Sequence, residues 1–480
     1  MPVALTTDVL VWLLAAAIAA YFFYVRRQPH LLVPWKRVTR SAPGMSALVV
    51  LAVFIVIGLA DSIHFRPALA GPPGARTAYS VEVLSLLDEA LTPLRTHVER
   101  TYSAPFATRA YSKETFEVTD PDGKSREVRD YPRLSWGGAG LKDESERGRD
   151  IAIRSLRALV LALAASWALA GAVAARHAKR AQVSVRQAWR AIWRNETDAP
   201  WLAILGVCAV LLAMAFIAAG VCTHYHVLGT DKVGRDVFYL ALKSIRTGLV
   251  IGTVTTLVML PFAVALGIMA GYFRGWIDDA IQYVYTTLNS IPSVLLIAAA
   301  VLLMQVYIDQ HPELFPTSAQ RADLRLLFLC VILGLTSWTG LARLLRGEAL
   351  KLRELEYVQA AQAFGVRSPR ILSRHIVPNV MHLILISLVM DFSGLVLAEA
   401  VLSYVGVGVD PTMTSFGTMI NAARLEMSRD PMVWWTLAAA FAFMFVLVLA
   451  ANLFADAVRD AFDPRVRIGA RVAAATAVAR

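Results

Sequence analysis

Nine nearly uncharged apolar runs, each long enough to cross a bilayer as a helix, constrain this chain more than any other feature. They lie at 9–25, 42–60, 151–175, 201–222, 248–272, 283–307, 325–342, 377–402 and 433–455. Inside lipid a segment must satisfy its own backbone N–H and C=O groups, so runs of this length are expected as helices. The expected fold class is therefore an all-α polytopic membrane protein. Only 17% of residues are charged and 57% are hydrophobic, against about 25% charged in soluble domains. The formal net charge of +11 would suggest nucleic acid in a soluble protein. Here the cations flank the spans, so membrane lipid rather than nucleic acid is the expected partner. Cys208, Cys222 and Cys330 lie in or beside apolar runs and match no metal or redox spacing.

The basic residues also set sidedness. Residues 26–44 hold five basic and no acidic side chains, and 176–200 hold six basic and two acidic. Both belong on the cytoplasmic side by the positive-inside rule. The first run has Asp8 ahead of it and Arg26-Arg27 behind, the reverse of a secretory leader, and is read as a retained span. Counting crossings then puts the N-terminus and 61–150 outside. The segment 343–376 and the tail bearing Arg459, Arg465, Arg467, Arg471 and Arg480 fall inside. Trp35-Lys36-Arg37 and Trp189-Arg190 with Trp193-Arg194 each precede a span, as basic interfacial helices with rings at headgroup depth would.

The external segment 61–150 carries 15 acidic and 13 basic residues and no span. It is too long for a simple connection and is expected to fold. Val81, Leu84, Leu87, Leu91, Leu94 and Val98 suggest one amphipathic helix that Pro93 would kink. Thr115-Phe116-Glu117-Val118 and Arg126-Glu127-Val128 flank Asp120-Pro121-Asp122-Gly123, a hairpin pattern. The module is thus expected to be α+β.

Motifs for chemistry are missing. The chain has no P-loop, no Gly-x-Gly-x-x-Gly, no His-Glu-x-x-His and no Gly-x-Ser-x-Gly. It is expected not to be an enzyme and to bind no ATP of its own. Asp61 with His64, and His224-x-His226 near Asp231, lack a third ligand at a fixed spacing and are read as polar interfacial groups. No metal site is expected.

Two polar segments exceed what spans require. The first runs from Leu228 to Phe238, with Arg246 ahead of the next apolar run. Gly229 and Gly234 suit a tight turn, Asp231 can accept from free N–H groups, and Arg235 can pair with either carboxylate. The second is 343–378, with seven basic and three acidic residues. A helix over 351–364 with small residues at Ala360, Ala361 and Ala363 is expected to end at Gly365. Ser368-Pro369 then restarts a helix by N-cap and first-turn proline, and Pro378 leads into the next span. Such an elbow suits docking on a partner.

Gln359-Ala360-Ala361 with Gly365, Ile376, Val377 and Pro378 resembles the cytoplasmic motif of ABC-importer permeases. Gly229-Thr230-Asp231 with Gly234-Arg235-Asp236 resembles the external signature of the dipeptide and oligopeptide (peptide/nickel) C-type subunits. Gly271-Tyr272, Asp278, Ser290-Ile291-Pro292, Glu399-Ala400, Ser415-Phe416-Gly417 and the stretch Asp456 to Pro464 extend the likeness over roughly 186–467. Gln359, Val377, Tyr283 and Thr286 depart from the usual residues. The resemblance implies a type I importer core of six spans. About three extra N-terminal spans and the external module mark the enlarged variety of this subunit. It also implies a second permease subunit, two cytoplasmic ATPase subunits carrying ATP and Mg, an external solute-binding protein, and a bacterial inner-membrane location.

The expected division is 1–60 for two spans, 61–150 for the external module, and 151–200 for the third extra span with its basic helix. The core is 201–467, with the elbow 343–378 within it, and 468–480 is a cytoplasmic tail. Asn289, Ser290, Ser387, Ser393 and Glu399 are polar groups in apolar surroundings and candidates for lining the path. Asp391 and Glu399 on one span keep open an ion-coupled transporter working without ATPases. The cargo, peptides or another small solute, is not legible.

Overall fold

Lipid-length apolar runs become helices because no other single-segment structure pairs its own backbone. The computed structural model describes residues 1–69, 79–119, 125–141, 143–315 and 317–462. The turn expected at Asp120 to Gly123, Asp463-Pro464, the arginines beyond them and the tail 468–480 lie outside the described residues. Among the described residues nine helices are long and apolar enough to span a membrane. Contacts divide the chain into one unit of residues 1–4, 48–247 and 413–447, and another of 5–47, 248–412 and 448–480.

In the first unit, strands Pro2–Val3, His64–Phe65 and Leu84–Ser85 form a small antiparallel sheet in that order. Strands Glu114–Thr119 and Ser125–Asp130 form the expected hairpin, with Glu114 opposite Asp130. The single helix expected over 81–98 is not formed. Ser85 and Asp88 make a capping box that starts a short helix, Leu86–Ala90. Leu91 then leaves helical geometry, and Thr92–Thr96 follows with Pro93 in its first turn. Two strong local signals within eight residues divide what the apolar spacing alone would join.

Helix Arg147–Ala181 packs along Trp201–Cys222, and the short helix Val185–Trp193 folds back on Arg147–Ala181. A core of Tyr102, Val237, Leu240, Met419, Val433 and Trp435 joins the 97–111 stretch to the start of helix Val237–Phe273 and to 416–440. That helix begins earlier than the apolar run suggested, so Arg246 lies inside it. Its polar first turns are compensated: Lys243 Nζ reaches Asp61 at 2.7 Å and Asp88 at 3.0 Å, and Arg246 Nε reaches Ser62 at 3.3 Å.

The second unit holds the elbow. Helices Ser318–Ser337 and Thr339–Arg353 run nearly continuously, followed by Glu356–Ala363, Ser368–Ile371, a π turn over Leu372–Ile376 and Val377–Val405. Met259, Ile268, Tyr272, Leu345, Val358, Ile371 and Ile376 share one core. The run 283–307 is interrupted. Helix Gly275–Ser290 stops, Ile291 is extended at φ −89° and ψ 131°, and Ser293–Gln310 is the apolar helix. Pro292 explains this, since a proline disfavours helical backbone in the residue before it.

The extra N-terminal helix Thr6–Arg27 is held to helix Ser318–Ser337 where the Thr7 hydroxyl meets Asp323. Helix Pro29–Val38 sets Val38 against Val458 and Ala461, with Trp35 edge-on to Phe462.

Candidate functional site

The 228–238 segment is a closed loop whose polar groups are used internally. Asp231 Oδ1 accepts from the N–H groups of Val233 and Arg235 at 3.0 and 2.8 Å, and the Arg235 guanidinium meets Oδ2 at 2.9 Å. Thr230 and Asp236 bridge the loop ends. Asp236 Oδ1 then accepts from Phe238 and Tyr239 N–H, which caps helix Val237–Phe273. Arg235 and Val233 remain exposed, while Thr230 and Asp236 are fully buried.

The 99–103 stretch covers the loop together with Trp435, whose indole N–H donates to Thr230 O at 3.0 Å. Thr230 N–H donates to Ser103 O at 3.0 Å, and Ser103 N–H donates to the Thr230 hydroxyl at 2.6 Å. Glu99 N–H donates to Gly234 O at 2.9 Å. Gly229 and Gly234 sit at φ +71° and +77°, and a Cβ on Gly234 would fall on the Glu99 carbonyl. The sequence identified both glycines as turn residues. It did not reveal that close backbone approach also demands them.

Beneath this contact lies a buried charge cluster that sequence reasoning missed. His226 Nδ1 is 2.8 Å from Asp236 Oδ2, and Nε2 is 3.5 Å from Glu99 Oε1. Glu99 also accepts N–H groups from Ser135, Trp136 and Gly137 at 2.8, 2.8 and 3.1 Å. Burial pushes the Glu99 carboxyl up, but His226 and the three N–H donors prevail and hold it at about 2. Burial likewise works against charge on His226, yet Asp236 and Glu99 raise it to about 9. The cluster joins the 99–137 stretch to the loop as an ion pair. Asp61 is likewise engaged by Ser85 and Lys243. Among the described residues no group of three or more His, Cys, Asp or Glu side chains could hold a metal ion.

The elbow begins at Glu356, because 351–353 complete the preceding helix. Its C-terminus is a Schellman turn: Gly365 N–H reaches Gln362 O at 2.9 Å, Val366 N–H reaches Ala361 O at 3.0 Å, and Gly365 has φ +72°. Arg367, not Ser368, stands at the next cap, and no side chain caps it. Val358 is fully buried and Ala361 packs on the unit's own core, so Ala361 is not part of a free face. Gln359 and Ala360 are exposed, as is Phe364, at 88%. Phe364 is not among the residues the sequence singles out. The elbow is braced by Arg353 Nη1 on Tyr272 O at 2.9 Å, Gln362 Nε2 on Tyr272 OH at 3.2 Å and Asn379 Nδ2 on Tyr357 OH at 3.1 Å. Asp278 and Arg346 pair through two 2.7 Å contacts that join helices Gly275–Ser290 and Thr339–Arg353. Ile376 is buried in the π turn, and Pro378 stands in the first turn of Val377–Val405. Pro378 has no N–H for the carbonyl four residues back, where the helix widens.

The five candidate path residues differ in setting. Asn289 and Ser290 are exposed beside the Pro292 break, with Asn289 Oδ1 3.2 Å from the Thr339 hydroxyl and the Ser290 hydroxyl on Thr287 O at 2.7 Å. Ser387 is half-buried. Ser393 donates to Asn452 Oδ1 at 2.7 Å, a bond between helices. Glu399 is buried and accepts the Ser403 hydroxyl at 2.6 Å.

Residues 263–468 match the family model described as the binding-protein-dependent transport system inner membrane component. The chain is 31% identical over 302 residues to a glutathione transport system permease protein of Pectobacterium atrosepticum, over 59% of this chain and 93% of that one. It is 30% identical over 242 residues to an oligopeptide transport system permease protein of Mycobacterium bovis, over 50% and 77%. A dipeptide transport system permease protein of Bacillus subtilis is 29% identical over 306 residues, over 60% and 88%. The elbow lies inside the family match and the 229–236 loop ahead of it.

Proposed function

The chain belongs to the family of binding-protein-dependent transport system inner membrane components, and from that premise we propose that it forms half of a path for peptides or similar small solutes. It is a multi-pass permease subunit of an ATP-binding-cassette importer and not itself an enzyme. Peptide cargo is supported by the names of its relatives, which carry oligopeptides, dipeptides and glutathione. A permease of this kind works with a second permease, ATPase subunits and a solute-binding protein. In the arrangement we propose there are two ATPases, which hold ATP and Mg, and the N-terminus and 61–150 lie outside.

The observation that carries the mechanism is the elbow. Its helix Glu356–Ala363 is braced from behind by Val358, Tyr272 and Arg353, and it presents Gln359, Ala360 and Phe364 outward. A rigid segment with an exposed aromatic tip can seat in a partner's groove and pass its movement to helix Val377–Val405 through Ile376 and Pro378. ATP binding in the ATPases would then shift the permease between inward and outward states. Asn289 and Ser290, exposed at the helix break, are the strongest lining candidates, followed by Ser387. Ser393 and Glu399 are buried within the chain.

The family assignment favours this reading over ion-coupled transport without ATPases. Reconstitution tests it: the chain, purified with its accompanying subunits and placed in liposomes, should take up peptide only with ATP and binding protein. Uptake driven by an ion gradient alone would overturn it.

A further inference from the structure

A groove of about 250 Å³ opens between helices Arg147–Ala181 and Trp201–Cys222. The first helix places alanine or serine at every fourth position from Ala158 to Ala178. Ala158, Ala162, Ala174 and Ala178 are buried. Between them Ser166 and Ala170 face the opening, opposite Gly206 and Ala209. Small side chains on both walls leave a slot that Trp167, Trp189 and Trp193 border at one end. That volume suits a stretch of acyl chain rather than a drug-sized solute.

The helix Val185–Trp193 closes that end with a division of labour around its axis. At about 100° per residue, buried Ala188 and Ile192 point opposite to Arg186, Arg190 and Arg194, and Trp189 and Trp193 fall between the two stripes. Its position is fixed by a left-handed turn at Gln182, with φ 54°, and by the capping box of Ser184 and Gln187. The three arginines are exposed, and no ion pair joins them to another described residue. Indole rings settle at headgroup depth, and a guanidinium pairs with phosphate through two parallel hydrogen bonds.

We propose that this groove and helix Val185–Trp193 form a binding site for one anionic phospholipid, its acyl chain in the slot, its headgroup at the level of Trp189 and Trp193, and the Arg186, Arg190 and Arg194 stripe on the helix's outer face supplying the positive field that favours a net negative charge. The occupant follows from charge complementarity and from the site's setting on two spans whose apolar faces are largely exposed. A zwitterionic lipid offers the same chain but no net charge for three cations.

The test is native mass spectrometry of the full chain, extracted with its accompanying subunits and exchanged into defined mixtures of phosphatidylglycerol and phosphatidylcholine. The wild type should retain one phosphatidylglycerol in preference to phosphatidylcholine. R186Q/R190Q/R194Q should lose that preference, by on the order of fivefold per arginine, while the triple lysine variant should keep most of it. A Cβ on Gly206 meets nothing within 4 Å. Gly206→Phe therefore fills the slot without touching the charges, and should abolish retention of the bound lipid. Unselective retention by the wild type, full retention by Gly206→Phe, or a protein segment crosslinked into the slot in the assembled complex would each overturn the proposal.

Discussion

Glu99 gives its backbone N–H to Gly234 O at 2.9 Å, while its own carbonyl oxygen stands where a Cβ on Gly234 would lie. One residue of the 97–111 stretch therefore reads the absence of a side chain in the 228–238 loop. The same residue gathers the N–H groups of Ser135, Trp136 and Gly137 on its carboxylate. The module is thereby tied to the loop by main chain and by charge at one point.

Gly234→Ala should break this contact. It adds a left-handed strain of about 1–2 kcal/mol to a collision with main chain that cannot rotate away. Amide exchange at Thr101 to Ser103 and at Ser135 to Gly137 should accelerate on the order of tenfold or more. Gly140→Ala is the control, since its Cβ would meet nothing within 4 Å. Equal exchange in both variants would remove the clamp from the account.

The charge cluster gives the clamp a pH profile. His226 is raised from 6.5 to about 9, so its stabilisation is complete below pH 6.5 and is lost as pH rises through 9. Glu99 is lowered from 4.5 to about 2, so its part is complete above pH 4.5 and is lost as pH falls through 2. The two shifts overlap in the His226–Glu99 contact and do not add, since Asp236 also holds the charge on His226 and three N–H groups also hold that on Glu99. His97, stacked on Trp136 at 4.2 Å, is lowered by burial and then by His226, so it titrates on the acid side and leaves the alkaline limb clear. Exchange at Ser135 to Gly137, corrected for its intrinsic pH dependence, should rise between pH 7 and about 9.5. In His226→Gln that limb should be flat. A rise of the same size in the variant would assign it elsewhere.

The spans were legible because bilayer thickness acts on run length alone, and Gly365 because a left-handed helix end has few other solutions. Their limits had local causes. Pro292 interrupts a run that hydropathy joins, and the Ser85 capping box divides a stripe that spacing joins. Glu99 and His226 were illegible for another reason. They are 127 positions apart by residue number, and neither carries a local pattern that would name the other. Lys243 with Asp61 and Asp88 is the same case. Phe364 lies beside the glycine that carries the motif and has no pattern of its own to mark it, although it stands 88% exposed.

Cysteine substitution should separate the path candidates. Asn289→Cys and Ser290→Cys, on the exposed corner before Pro292, should react with a water-soluble thiol reagent in at least one nucleotide state. Ser393→Cys should stay unreactive, and it should also lose the hydrogen bond to Asn452, worth about 0.6 to 1.7 kcal/mol between membrane helices. The measurement is labelling rate in the reconstituted complex. Rapid labelling at 393 with none at 289 or 290 would reverse the assignment.

The elbow makes the sharpest demand, because its two end residues should fail differently. Phe364 is 88% exposed in this chain, so Phe364→Ser should leave folding within about 0.5 kcal/mol. Burying a phenylalanine against a partner is worth about 1.5–3 kcal/mol, so ATPase retention should fall about tenfold to a hundredfold. Gly365→Val has no neighbour to strike but must hold a β-branched residue at φ +72°, at a cost of about 1–2 kcal/mol. The Schellman turn would open, and the helix would be misaimed while Phe364 stayed available. ATPase binding should then persist in part while cargo-stimulated turnover in liposomes is lost. Ala361→Glu, by contrast, places a charge against the chain's own Val358 and Tyr272 core, and should lower expression of the subunit rather than uncouple it. If Phe364→Ser and Gly365→Val both keep wild-type ATPase retention and turnover, the elbow is a solvated loop and the lever lies elsewhere in the permease.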